Sequence, residues 1–185
     1  MYGAANKDID IFISYCQNAY ITYIEQKDLF SNRHLLDEAA PIFFRKLNSV
    51  LIEYLILQVC KLGDPAEDKS KNENLSIQFF LKHHPSSDNA TFTKLGNEII
   101  KFCAQLMPAR HKILAHIDRK TANEGDWLGA STKEEWEKFW GNLQEFLRLL
   151  YHPTFRLFDA SEVSDMKDLI KILGQTNNRQ ARTAN

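Results

Sequence analysis

The chain has 185 residues, 44% of them hydrophobic and 25% charged, which is the usage of one folded domain rather than of a disordered segment. A formal net charge of −1 excludes a global basic field, so any nucleic-acid binding needs a local cluster. With only 7 glycines and 5 prolines there is little material for tight hairpins, and the predicted fold class is all-α, a bundle of six to seven helices.

In chain order, the spacing of Ile9, Phe12, Ile13, Cys16, Ala19 and Tyr20 predicts a first helix from Ile9 to about Glu25, with Asp8 as its cap. A second helical stretch covers Arg33 to Leu62, and Pro41 suits a first-turn position that divides it into a short and a long piece. From Ile42 to Leu62 the stretch is apolar on nearly every side, which places it at the centre of a bundle or along a subunit seam. Gly63-Asp64-Pro65 stops it, and residues 66–73 read as a polar loop.

A short helix at Leu75–Lys82 ends at His83-His84-Pro85, where a cationic His complements the helix dipole. Asp88 is the expected cap of the next helix, which runs to Met107; Pro108 then kinks the chain or begins a new helix reaching about Lys120. Ser131-Thr-Lys-Glu134 reads as a capping box. Behind it, Trp136, Phe139, Trp140, Leu143, Phe146, Leu147 and Leu150 form a core stripe that Pro153 ends. A last helix is expected over Glu162–Leu173, capped by Ser161 and closed by Gly174. The expected organisation is one domain over residues 1–174 and a disordered tail over 175–185.

Cys16, Cys60 and Cys103 are far apart and match no metal spacing, so they read as buried small hydrophobes in a reducing compartment. There is neither a signal pattern nor an apolar run long enough to span a bilayer, and a cytoplasmic location without membrane association is the expectation by elimination. Phosphate-binding glycine loops, Cys-x-x-Cys pairs and HExxH are missing, so no metal site and no cofactor is expected. His83-His84 do not change this, because adjacent histidines on a helix diverge by about 100°.

One segment stands out as the dense basic cluster of the chain: Pro108-Ala-Arg110-His111-Lys112-Ile113-Leu114-Ala115-His116-Ile117-Asp118-Arg119-Lys120. On a helix, Ile113, Leu114 and Ile117 point one way, while Lys112, His116 and Arg119 lie within about 60° of one another on the opposite side. A histidine between two cations exchanges protons near neutral pH, and the flanking cations neutralise charge. That pairing suits a phosphodiester. The same wheel sets Arg110 about 120° from His116. Convergence therefore needs a bend at Pro108 or assembly across a dimer. The alternative is a part-buried Arg110 paired with an acid, for which Glu53, isolated in an apolar helix, is the candidate.

The segment resembles the motif of the HEPN superfamily, Arg followed by four to six residues and then His, and more closely its abortive-infection, AbiU-like branch. That branch looks like Arg-Asn-Lys-x-x-Ala-His-x-Asp. Arg110-His111-Lys112-Ile113-Leu114-Ala115-His116-Ile117-Asp118 matches every specified position but one, His111 standing in place of Asn. Ala40-Pro41-Ile42-Phe43-Phe44, Leu62-Gly63-Asp64-Pro65 and Asn74-Leu75-Ser76 also fall where similar segments occur in that branch, so the resemblance covers about residues 5–173.

The resemblance implies a HEPN-like bundle that dimerises, with two motif copies meeting in a cleft, and a metal-independent endoribonuclease of toxin or phage-defence type. Arg110 and His116 would be catalytic, His111 and Asp118 supporting polar residues, and Lys112 and Arg119 the contacts to the RNA backbone. Some HEPN toxins carry Tyr two residues after the His, where a partner nucleotidyltransferase modifies it; Asp118 stands there in this chain. The implied partners are RNA, a second copy of the chain, and a cognate antitoxin or nucleotidyltransferase. Two other roles occur among similar proteins, a catalytically inert module binding RNA, nucleotide or protein, and a structural dimerisation domain.

Overall fold

Seven α-helices account for most of the described residues of the computed structural model, which are 3–111, 131–157 and 165–183. They are α1 (Gly3–Ser31), α2 (Arg33–Ala39), α3 (Pro41–Leu62), α4 (Ile77–His83), α5 (Ala90–Ala109), α6 (Lys133–Leu150) and α7 (Met166–Thr183), with a 3-10 turn at Pro85–Asp88. The fold is all-α, and the sole β-type pairing among the described residues is an isolated bridge between Glu67 and Glu73. Within them, no helix is long and apolar enough to cross a membrane.

Local sequence explains most boundaries. Pro41 opens α3, where its missing N–H costs nothing and its fixed φ suits the first turn. Ser76 caps α4 by accepting from the Phe79 N–H. Two caps sit one residue beyond their expected positions. Asn89, not Asp88, caps α5 by accepting from the Thr91 and Phe92 N–H groups. The capping box of α6 is Thr132 with Glu135 rather than Ser131 with Glu134. In both places two polar residues compete, and the residue that takes the cap has an extended backbone.

The chain divides into two compact units. The first comprises Met1–Gln17 and Ile56–Leu157, the second Asn18–Leu55 and Phe158–Asn185. The first is a helical bundle cored by Phe12 of α1, Val59 and Leu62 of α3, Ile77 and Phe80 of α4, Phe92, Ile99 and Leu106 of α5, and Phe139, Leu143, Phe146 and Leu147 of α6. The expected aromatic stripe of α6 is this core. Phe146 stacks on Phe92 with ring centroids 4.3 Å apart, and Phe139 stacks on Phe102 at 4.7 Å. Phe12 meets Phe80 at 4.8 Å.

The second unit has a smaller core of Leu29, Leu36 and Phe44, against which Leu47, Leu51, Met166 and Leu173 pack. Here the helix expected to close at Gly174 continues to Thr183. Gly174 keeps a helical backbone rather than the left-handed one of a C-terminal cap, and Gln, Arg and Ala beyond it favour helix. The expected cap, Ser161, lies outside the described residues. On the outer side of α3, Ile42, Phe43, Val50 and Tyr54 are 84%, 61%, 50% and 47% exposed. A bundle-centre position therefore does not describe this part of α3.

Candidate functional site

The site is built where the end of α3 meets α5. Cys103 of α5 donates its thiol to the Val59 carbonyl at 3.1 Å, and the Cys60 thiol faces the Cys103 carbonyl at 4.0 Å. Gly63 follows at the very end of α3, and a Cβ placed on it would lie 2.6 Å from the Cβ of Cys103. A glycine is required by that close approach. The three cysteines are free and buried, as their apolar contexts predict. Burial pushes the Cys60 thiol up to about 11 and the Cys103 thiol higher still, so both are inert thiols of the core.

The next residue, Asp64, is held by its backbone N–H to the Lys61 carbonyl at 3.2 Å. The loop behind it is braced from within. Asn74 donates its side-chain amide to the Pro65 carbonyl and its backbone N–H to Ala66, both at 2.8 Å. The Asp68 carboxylate accepts from the Ser70 N–H and from both the backbone and side chain of Asn72. The Asn72 side chain, first among these donors, holds that carboxyl below the usual carboxylate range. Lys71 adopts φ 68° to close the turn.

Across from this loop stands Arg110. Pro108 lies inside the last turn of α5 rather than opening a new helix, and α5 reaches Ala109. Arg110 caps it, its backbone N–H shared between the Leu106 and Met107 carbonyls, and the backbone widens into a π-type turn at Arg110–His111. The side chain of Arg110 donates from Nη1 to Oδ1 of Asp64 at 2.8 Å and lies 3.9 Å from the sulfur of Met107. The two partners are 26% and 24% exposed. Arg110 is thus part-buried and paired with an acid, but the acid is Asp64; Glu53, the partner the sequence suggested, is exposed on α3.

Of the other residues singled out from the sequence, His111 is exposed beside Arg110. Lys112, His116, Asp118 and Arg119 lie outside the described residues. His83 and His84 end α4 as expected. His83 packs its ring on Phe79 at 4.9 Å, while His84 accepts the Ser86 N–H on Nδ1 at 3.2 Å and burial holds its pKa below the ordinary imidazole value. Among the described residues no group of three or more His, Cys, Asp or Glu is arranged to hold a metal.

Sequence reasoning missed Asp64 as a member of this site. Its one signal was the Leu62-Gly63-Asp64-Pro65 segment, read as a helix stop, whose Asp is the residue that faces the arginine. The family model described as AbiU2, HEPN_AbiU2, matches residues 9–169 of the chain. No curated protein and no solved structure matches it.

Proposed function

Since the chain belongs to the AbiU2 family of HEPN domains, we propose that it is a metal-independent endoribonuclease of toxin or phage-defence type acting as a homodimer. The observation that carries this reading is the state of Arg110. Its side chain is a quarter exposed at the end of α5, and among the described residues only Nη1 is engaged. Among those residues the edge formed by Nε and Nη2 has no partner, and a guanidinium fork grips a phosphate along such an edge through two parallel hydrogen bonds.

In this reading the ribose 2′-oxygen attacks the adjacent phosphorus. A new O–P bond forms, the bond to the 5′-oxygen of the next nucleotide breaks, and the products are a 2′,3′-cyclic phosphate and a 5′-hydroxyl. His116 moves the proton between the 2′-hydroxyl and the leaving oxygen. Arg110 orients the phosphate and stabilises the charge that builds on its oxygens. His111 and Asp118 support the site through polar contacts, and Lys112 and Arg119 hold the RNA backbone. The uncovered apolar side chains of α3 support a second copy of the chain as partner.

A second reading, an inert HEPN module in which the arginine only holds the fold together, is favoured by the Arg110–Asp64 ion pair itself. The two separate in one experiment. A mixed RNA pool is incubated in EDTA with the wild type, His116→Ala and Arg110→Ala, each first shown folded by circular dichroism. The enzyme reading expects cleavage with cyclic-phosphate ends by the wild type alone. Equal cleavage by folded His116→Ala sinks it, and an inert wild type whose Arg110→Ala variant unfolds establishes the structural role.

A further inference from the structure

The geometry points to Asp64 as the residue that positions Arg110 for phosphate. The inference rests on the ribonuclease reading and adds to it a member that the Arg–His motif does not contain. Three observations carry it. The first is one-sidedness: Asp64 touches a single nitrogen of the fork, through one oxygen, at 2.8 Å. An arginine kept only for packing would satisfy its donors as fully as its burial demands. Here Nη1 carries the contacts with the described residues, so among them the side chain is held along one edge and has no partner along the other.

The second observation is the rigidity of the support. Asp64 directly follows Gly63, whose contact with Cys103 leaves no room for a Cβ. Cys103 lies two helical turns before Arg110 on α5, on the same face. Gly63 therefore sets the distance between the carboxylate and the arginine through the backbone of both elements. The internally braced loop behind Asp64 resists its withdrawal. The third is the place of Arg110 at the C-cap of α5, where its own backbone is still helical at φ −54° and ψ −48°. Without an anchor, a long side chain at a helix end samples many rotamers, and fixing it lowers the entropy lost when a phosphate binds.

Asp64 contacts no substrate in this scheme. It is a positioning residue, and its removal affects the rate through the placement of Arg110. The test uses the full chain with Asp64→Asn and Arg110→Lys, read by cleavage kinetics in EDTA and by the Nε–Hε resonance of Arg110 in 15N-labelled protein. Asp64→Asn is expected to stay folded, to lose about ten- to a hundredfold in kcat with a smaller change in KM, and to lose the ordered Arg110 resonance. Arg110→Lys, which can still meet Asp64 but has no second edge, is expected to lose kcat as well.

Wild-type kcat in folded Asp64→Asn, or an Arg110 resonance as ordered as in the wild type, overturns the proposal. Should Asp64→Asn fail to fold, Arg110→Lys decides it, since unchanged kcat there removes the need for a free guanidinium edge. Should the wild type cut no RNA, the ribonuclease reading falls. The resonance then still judges the anchor: loss of order in Asp64→Asn upholds it, and unchanged order overturns it.

Discussion

Gly63 and Cys103 approach so closely that a methyl group on Gly63 would sit 2.6 Å from the Cβ of Cys103; Gly63 directly follows the last residue of α3 and Cys103 lies within α5. Cys103 is 1% exposed and has no room to retreat. Gly63→Ala must therefore push the end of α3 from α5. We expect a loss of about 1–3 kcal/mol, the usual cost of overpacking, measured by urea denaturation. A variant as stable as the wild type would mean that the two helices separate freely.

Gly141 gives the opposite expectation. It lies in the interior of α6, and a Cβ there meets nothing within 4 Å. Gly141→Ala keeps the helical backbone and reduces the freedom of the unfolded chain. It should stabilise the protein by about 0.5–1 kcal/mol, seen as a higher midpoint in the same titration. No gain would point to an unfavourable effect at the exposed face of α6.

The Asp64–Arg110 pair is half-buried, so its worth lies above that of an exposed ion pair. A double-mutant cycle with Asp64→Ala and Arg110→Ala is expected to give a coupling of about 0.5–3 kcal/mol. Additive single effects would show that the contact contributes nothing to stability.

His84 makes the first unit sensitive to mild acid. Burial lowers its pKa, and its Nδ1 accepts the Ser86 N–H, so the folded chain prefers the neutral ring. A depressed histidine pKa means that the unfolded chain binds the proton more tightly. The contribution is fully present above the unfolded value of about 6.5 and is lost as pH falls towards the lower folded value. Unfolding free energy should drop between pH 7.5 and 5.5, and His84→Gln should flatten that drop. An identical slope in the variant would assign it to other groups.

Thr132 closes the capping box of α6, accepting the Glu135 N–H at 3.2 Å while the Glu135 carboxylate accepts the Thr132 N–H at 2.7 Å. Thr132→Ala should cost about 1 kcal/mol. Ser131→Ala should cost less, although Ser131 is the first of the two cap-type residues in the sequence. The reverse order would return the cap to Ser131.

Helix order and most helix ends were legible in the sequence because they are written locally. Pro41 opens α3, Gly63-Asp64-Pro65 ends it, Ser76 lies just before α4, and the Trp136–Leu150 periodicity marks the buried side of α6. The Arg110 motif was likewise legible as a string, together with its family. Where neighbouring residues were chemically alike, as at Asp88 and Asn89 or Ser131 and Thr132, the sequence named the cap only to within one position, since backbone dihedrals choose between them. The partner of Arg110 was decided by the tertiary structure alone. Asp64 stands 46 positions away, and nothing in either segment states that α3 and α5 pack at Gly63 and Cys103. Glu53 had a better claim by local reasoning, as a charge in an apolar helix, but its side of α3 faces outward. Which acid meets an arginine depends on which helix faces are buried against each other, and that follows from the packing of the whole unit rather than from any one stretch of chain.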